Sequence, residues 1–456
     1  MTSTLIETAL KTADQTREIA FGPNVVEKTG EIFASCFPGK KVIVVADGNT
    51  FAACGDEVVQ SLKNAGVEFA TDPYVFPGTP TLYGGYENVE ILRDHIKPLG
   101  DETVVCSIAS GTLNDIAKLA SGELEREYMN VCTAASVDGY ASFGASIAED
   151  GFKITHDCPA PAALVADEDV IAHAPQRLTA TGYGDLIEKI PAGADWILAD
   201  ELGIEPIDDY VWKLVQGPLR DTLADPQAVA AGDPAAIAKL TEGNIMSGLA
   251  MQAAKSSRPA SGAGHQFSHT WEMEGHGLDW EPPLSHGFKV GIGTIASCAI
   301  WEEVLKLDLT DLDIDRIVAQ TPSAEEVEKR VRSMQTERIA TDAVKHTLNK
   351  HLEGDDLRAR LEKIQQAWPR IKERCTQQLA SPQEIMDMLR QAGAPYHPEM
   401  IEIDWDRFKE THFKAQQIRS RYTILDLLID VNELENIVDK LFSDEGFWGQ
   451  HRNPSE

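Results

Sequence analysis

The stretch TVVCSIASGTLNDIAKLAS, Thr103–Ser121, sets the fold class. Its first six residues form a short apolar run rich in β-branched side chains, as expected of a strand buried on both faces. From Gly111 onward Leu113, Ile116, Ala117 and Ala120 recur at helical spacing, so a strand passes straight into a helix. The same alternation surrounds it. KVIVVA (Lys41–Ala46) reads as a strand ending at Asp47-Gly48, and Phe51, Val58, Val59 and Leu62 follow at helical spacing. VEFATDPYVF is a further strand candidate, ahead of the turn PGTPT and a helix around Tyr86–Ile96. NVCTA (Asn130–Ala134) is the next strand, GASIAEDGFKIT a hairpin turning at Asp150-Gly151, and AALVA closes the region. Strands alternating with helices imply a mostly parallel, Rossmann-like sheet with helices on both faces.

Beyond Ala166 the β-branched clusters thin out. Segments rich in Ala, Leu, Glu and Lys take over, such as AEEVEKRVRSMQTERIATDAVKHTLNKHL and DDLRARLEKIQQAWPRIKERCTQQL. The chain therefore divides into an α/β part, residues 1–166, and an all-helical part, residues 167–456, and a ligand is expected in the cleft between them.

Composition narrows the class of partner. The 456 residues carry 73 acidic against 41 basic side chains, a formal charge of -32. Nucleic acid needs clustered Lys and Arg, so it is excluded as a partner. An anionic substrate would approach against the global field, and its site must be locally basic or built from backbone N–H groups. Seven scattered cysteines without a C-x-x-C pair suit a reducing compartment. The first twenty residues mix both charges and lack an apolar core, and no stretch approaches the ~20 apolar residues of a membrane span. A cytoplasmic protein without a membrane span is expected.

Four of the twelve histidines fall between His265 and His286, in HQFSHTWEMEGHGLDWEPPLSH. His265 and His269 stand i,i+4, on one face of a helix. That spacing either chelates a metal directly or supplies one ligand and one neighbouring proton-handling group. His286, followed by Gly287, reads as a turn-to-helix start. Asp185, in TGYGDLIEK just before a helical run, is either an N-cap carboxylate or a ligand. One carboxylate and two imidazoles would hold a divalent ion and leave positions open for a substrate oxygen. In the α/β part, Gly111 and the N–H groups after it can cradle a pyrophosphate at the positive end of a helix. Asp47, at the end of its strand, can accept hydrogen bonds from a ribose and repel a 2′-phosphate. CTAASVDGYASFGAS adds small hydroxyls (Thr133, Ser136, Ser142) and Asp138 in a loop suited to close ligand contact.

In order and spacing, SGTLNDIAK, TAASVDGYAS, GYGDLIEK, SSRPASGAGHQFSH and SHGFKVGIGT resemble the iron-containing alcohol dehydrogenase and dehydroquinate synthase superfamily. Within it they are most similar to the sn-glycerol-1-phosphate dehydrogenases of bacterial type. The similarity extends to APYHPEMIEIDWDRFKETHFKAQQIRSRYTILDLL near the C-terminus. The resemblance implies a dinucleotide-binding N-terminal domain and a helical metal-binding C-terminal domain. It implies Asp185, His265 and His286 as ligands of one divalent metal, zinc in first place, nickel or iron as the other choices. Asp185 thereby joins the catalytic set, with His269 and Asp138 as substrate neighbours. Asp47, Gly111, Thr112, Leu113, Asn114, Asp115, Thr133, Ala134, Ala135, Ser136 and Ser142 fall at positions contacting NAD(H), preferred over NADP(H).

The implied reaction is reversible reduction of dihydroxyacetone phosphate to sn-glycerol 1-phosphate, with the metal as Lewis acid and His269 passing a proton at near-neutral pH. Lys255, Arg258 and Lys289 are the candidates for the substrate phosphate. A homo-oligomer, dimeric or larger, is expected. A polyol dehydrogenase on the same fold and a dehydroquinate-synthase-like lyase are the alternatives. Two departures from the family pattern stand out. The loop before the helix offers only Gly111, and Gly264 takes the place where an acidic residue often precedes the first histidine.

Overall fold

A computed structural model of the chain describes residues 4–149 and 152–452. A six-stranded parallel sheet runs in the order β1-β8-β5-β4-β2-β3. The strands are β1 (Glu18–Gly22), β2 (Lys41–Asp47), β3 (Tyr74–Phe76), β4 (Thr103–Ala109), β5 (Tyr128–Cys132) and β8 (Ala163–Asp167). β6 (Ala145–Glu149) and β7 (Phe152–His156) form a separate antiparallel hairpin, with Ile147 opposite Ile154. The expected turn at Asp150-Gly151 lies outside the described residues.

The continuous apolar run of β2 is explained by burial on both faces. Val42, Val44 and Ala46 pack with Ile32, Phe33, Val58 and Leu62. Ile43 and Val45 point the other way, against Val89, Leu92, Leu113 and Ile116. The expected helix near Tyr86 spans Tyr86–Ile96. The VEFATDPYVF segment yields only the short β3, Phe69 adding an isolated bridge to Val42.

Among the described residues no strand follows Asp167. The helices beyond it share a core that includes Trp271, Ile292, Trp301, Leu361 and Trp368. Ile6 and Ala9 of the Thr4–Leu10 helix join this core, as do Tyr140 and Ala141 of the loop after β5. The helical layer thus takes in residues from both ends of the sheet region. No helix is long and apolar enough to cross a membrane.

Glycines set how closely three central helices approach. Gly184 in the Gln176–Leu186 helix lies on Gly287 of the His286–Val304 helix, where an added Cβ would strike the Gly287 carbonyl oxygen. Gly293 of the latter helix lies equally close to the backbone of Gly264, in the Ala263–Met273 helix. Only residues without a Cβ permit such crossings.

Candidate active site

These crossings bring Asp185, His265 and His286 together. A ligand atom from each falls within 4.8 Å of the other two, and among the described residues this is the group suited to hold a metal ion. The helix after Asp185, Lys189–Glu201, has Glu188 at its N-cap position and not Asp185. Asp185 lies inside the last turn of Gln176–Leu186, so the N-cap reading fails: glycines at 182 and 184 serve helix packing, and Gly182 presses on the carbonyl of Ala135. His286 opens its helix, as expected. His265 and His269 share one helix, their ring centroids 5.8 Å apart.

Each donor is braced. Nε2 of His265 faces Asp185 Oδ1 at 3.5 Å, while Nδ1 is 2.9 Å from Glu188 Oε2. Burial pulls the His265 pKa down, but Glu188 and Asp185 outweigh it and raise it to about 9. Carboxylates around one imidazole favour positive charge here, whether a proton or a metal ion supplies it. Nδ1 of His286 contacts Glu272 Oε1 at 2.8 Å, which leaves Nε2 as its ligand atom. Asp185 is buried, yet Lys189, His265 and His286 hold its carboxyl well below the usual range. The Lys189 Nζ stands 3.0 Å from Asp185 Oδ1 and 2.9 Å from Asp138 Oδ2. Asp138 Oδ2 also accepts from Ser247 Oγ at 2.9 Å, and the Asp138 N–H donates to Asp185 Oδ2 at 3.3 Å. Glu188 explains Gly264: a Cβ there would lie 2.8 Å from Glu188 Cγ. The carboxylate beside His265 comes from the turn between the Gln176–Leu186 and Lys189–Glu201 helices, and the glycine makes room for it.

The expected acid–base group departs from near-neutral titration. Burial outweighs the Glu272 contact and, with Arg419 adding to it, pushes His269 down to about 3. Its Nδ1 is 2.9 Å from Glu272 Oε2, so His269 rests as a neutral imidazole with Nε2 free to accept a proton.

A single cleft of about 1500 Å³ connects this cluster to the C-terminal edge of the sheet. Asp47, Ser110, Gly111, Thr112, Asp115, Thr133, Ser136, Asp138 and Ser142 line it with Asp185, His265, His269 and His286. The Gly111–Gly122 helix opens without a side-chain cap, so its first N–H groups are free for an anion. Asp47 Oδ1 caps the Gly48–Asn64 helix, accepting from Asn49 and Thr50 N–H at 2.8 and 3.0 Å. Asp115 Oδ2 accepts from the Ser146 N–H at 3.1 Å, tying the hairpin to this helix. Four expected cofactor contacts do not line the cleft. Leu113 packs in the sheet core, Asn114 accepts from the Tyr128 hydroxyl, Ala134 accepts from the Tyr140 hydroxyl, and Ala135 lies under Gly182.

Two expected phosphate ligands are also elsewhere. Lys255 is exposed and paired with Asp14, and Arg258 is buried against the carbonyls of Tyr422 and Asp195. Lys289 does line the cleft, 3.5 Å from Glu272. The sequence reading missed Glu188, Lys189 and Glu272, and the cleft cations Lys153, Arg177, Arg419 and Arg421. Glu272 had one visible signal, its i,i+3 spacing from His269.

Comparison with known proteins places this geometry. The family described as iron-containing alcohol dehydrogenase matches residues 20–175. The solved iron-containing alcohol dehydrogenase of Thermococcus thioreducens superposes with a TM-score of 0.58 over 93% of this chain and 98% of that one, at 13% identity, a likeness of fold. A glycerol-1-phosphate dehydrogenase of Halalkalibacterium halodurans is 36% identical over 261 residues, 57% of this chain and 65% of that protein. The glycerol-1-phosphate dehydrogenase of Geobacillus thermodenitrificans is 31% identical over 337 residues, 71% of this chain and 77% of that protein. The chain belongs to the glycerol-1-phosphate dehydrogenase family.

Proposed function

We propose that the chain is an oxidoreductase that reduces dihydroxyacetone phosphate to sn-glycerol 1-phosphate, reversibly, with NADH. The observation that carries this is one cleft lined both by the uncapped Gly111 helix start and by the Asp185, His265 and His286 cluster. The name of its relatives, glycerol-1-phosphate dehydrogenase, NAD(P)+, supplies the substrate.

Residues 1–166 supply the dinucleotide side and residues 167–456 the metal side. Asp185, His265 and His286 would hold one divalent ion, zinc before nickel or iron, which supplies Lewis acidity at the substrate carbonyl. A nicotinamide cofactor held on the dinucleotide side would supply the hydride. The free N–H groups at Gly111 and Thr112 bind pyrophosphate, with Thr133, Ser136 and Ser142 along the cofactor's path. Asp47 keeps Oδ2 for a ribose hydroxyl while Oδ1 caps its helix, and a carboxylate there disfavours a 2′-phosphate. His269 takes a proton at Nε2 when the alcohol is oxidised, and Glu272 stabilises the imidazolium so formed. Asp138, held by Lys189 and Ser247, orients a substrate hydroxyl. The enzyme acts in the cytoplasm as a homo-oligomer.

The test is NADH oxidation with dihydroxyacetone phosphate, with and without chelator, followed by chiral resolution of the product. Chelator-sensitive formation of the sn-1 phosphate is expected. Equal activity on unphosphorylated dihydroxyacetone, or no net NADH consumption, would overturn the reading.

A further inference from the structure

Five cations line the cleft: Lys153, Arg177, Lys289, Arg419 and Arg421. Lys153 and Lys289 both stand against Glu272, at 3.4 and 3.5 Å. Arg177 donates to the carbonyl of Pro283 at 2.6 Å and lies over the Phe288 ring. Arg421 donates to the Ser261 carbonyl and the Ser257 hydroxyl at 2.9 and 2.8 Å, and among the described residues it makes no ion pair. Arg419 differs from all of these. It makes no hydrogen bond or ion pair among the described residues, although 73 acidic side chains are available in the chain. Arg419 is half-buried at the cleft wall, and a partly desolvated guanidinium without a partner is less favourable than one paired with an anion. Such an arrangement persists where an anion completes it.

The surroundings locate that anion. Arg419 is extended (φ -146°, ψ 146°), the chain bends at Ser420, and both Arg419 and Arg421 line the cleft. Ser420 between them also lines the cleft, its hydroxyl 2.8 Å from His346 Nδ1. Burial lowers both guanidinium pKa values, with Glu272 opposing at Arg419 and Arg421 brought down to about 10. The Ser257 and Ser261 contacts fasten Arg421 to the segment just ahead of the helix that carries His265. The electrostatic neighbours of Arg419 include His269 and Glu272, on the metal side of the cleft, together with His346 and Arg421, whereas Asp47 belongs to the sheet side.

We infer that Arg419 and Arg421 form the seat of the substrate phosphate, Arg419 as the direct bidentate partner and Arg421 as its fixed neighbour. This rests on the reading of the substrate as a phosphorylated three-carbon ketone. It also resolves the conflict between an acidic chain and a dianionic substrate, because the two guanidiniums give the metal side a local positive field.

The test compares wild type, Arg419→Ala and Arg419→Lys in the metal-loaded protein. Calorimetric titration with inorganic phosphate and with sn-glycerol 1-phosphate reads binding without turnover, and steady-state kinetics reads KM for dihydroxyacetone phosphate. Removing one charged bidentate contact is expected to weaken both ligands by roughly 30-fold or more, with KM rising in parallel. Lysine should restore part of the loss, since charge returns without the fork. Unchanged phosphate affinity in Arg419→Ala overturns the inference even if wild type reduces dihydroxyacetone phosphate. So does a change confined to the KM for NADPH. Loss of phosphate binding in Arg419→Ala, in a wild type that does not reduce dihydroxyacetone phosphate, upholds the anion seat and overturns the proposed reaction instead.

Discussion

His286 and Glu272 meet at 2.8 Å, imidazole Nδ1 to carboxylate Oε1. The contact fixes the tautomer of His286 and turns Nε2 toward Asp185 and His265. The second oxygen of Glu272 takes Nδ1 of His269 at 2.9 Å, so one buried carboxylate orients both rings. Glu272 is held ionised although it is buried, by Lys153, His286 and Lys289. Glu272→Gln, which keeps the shape and loses the charge, is expected to weaken metal binding by roughly 10–100-fold. Competition against a chromogenic chelator measures this; wild-type affinity would remove Glu272 from the support of the site.

Asp185→Ala and His286→Ala should each lose bound metal and NADH oxidation together. Metal analysis after dialysis, beside an activity assay, separates the outcomes. Metal retained at one equivalent would end the ligand assignment.

His269→Ala should keep its metal and lower turnover by roughly 10²–10⁴-fold, the range of positioned acid–base help. Loss of metal from this variant would make His269 a ligand instead and revive the i,i+4 chelating pair. That pair was one of two readings open from spacing, because spacing reports a shared helix face and not which ring nitrogen is already engaged.

Legibility followed how local the signal was. Strand β2 could be read because its apolar run is continuous and bounded by turn residues, and the Tyr86–Ile96 helix because it buries Val89, Leu92 and Ile96 at helical spacing. The start at His286 carried a turn residue beside it. Asp185 misled on its own: flanking glycines look like a loop, and their purpose shows only when Gly287 and Ala135 are seen against them. Lys255 and Arg258 misled for a related reason. Nearness to His265 along the chain is not nearness in space, and Arg258 extends away from the cleft toward Asp195 and Tyr422. Arg419 and Arg421 stand more than 150 residues after His265, a pairing no local pattern encodes (419 − 265 = 154).

Asp47→Ser keeps an oxygen to cap the Gly48–Asn64 helix while removing the charge that faces the cleft. The ratio of kcat/KM for NADH over NADPH should fall by about tenfold or more, the loss of one hydrogen bond to a charged group. An unchanged ratio would take Asp47 away from the ribose.

Stability should depend on pH through Asp430. Burial raises its carboxyl to about 7, Tyr422 and Arg360 opposing only in part, against roughly 3.9 in the unfolded chain. The folded state therefore binds the proton more tightly. Its contribution is fully present below about pH 4 and is lost as pH rises through 7. Asp430→Asn mimics the neutral acid, so its Tm should fall less than that of wild type between pH 5 and pH 8. Equal falls in the two proteins would show that Asp430 is ionised at pH 5 in the fold.

The glycine crossings at Gly184–Gly287 and Gly264–Gly293 have a mechanical consequence for the donors beside them. Main chain rests on main chain there, with no side chain between to change rotamer and absorb a displacement. Asp185, His265 and His286 are spaced by the stacking of three rods, so the aperture of the cluster cannot be tuned one residue at a time. A substitution remote from the cleft reaches the donors only by sliding a whole helix, and it then shifts His265 against Glu188 or His286 against Glu272, because neither carboxylate lies on the helix of the ring it contacts.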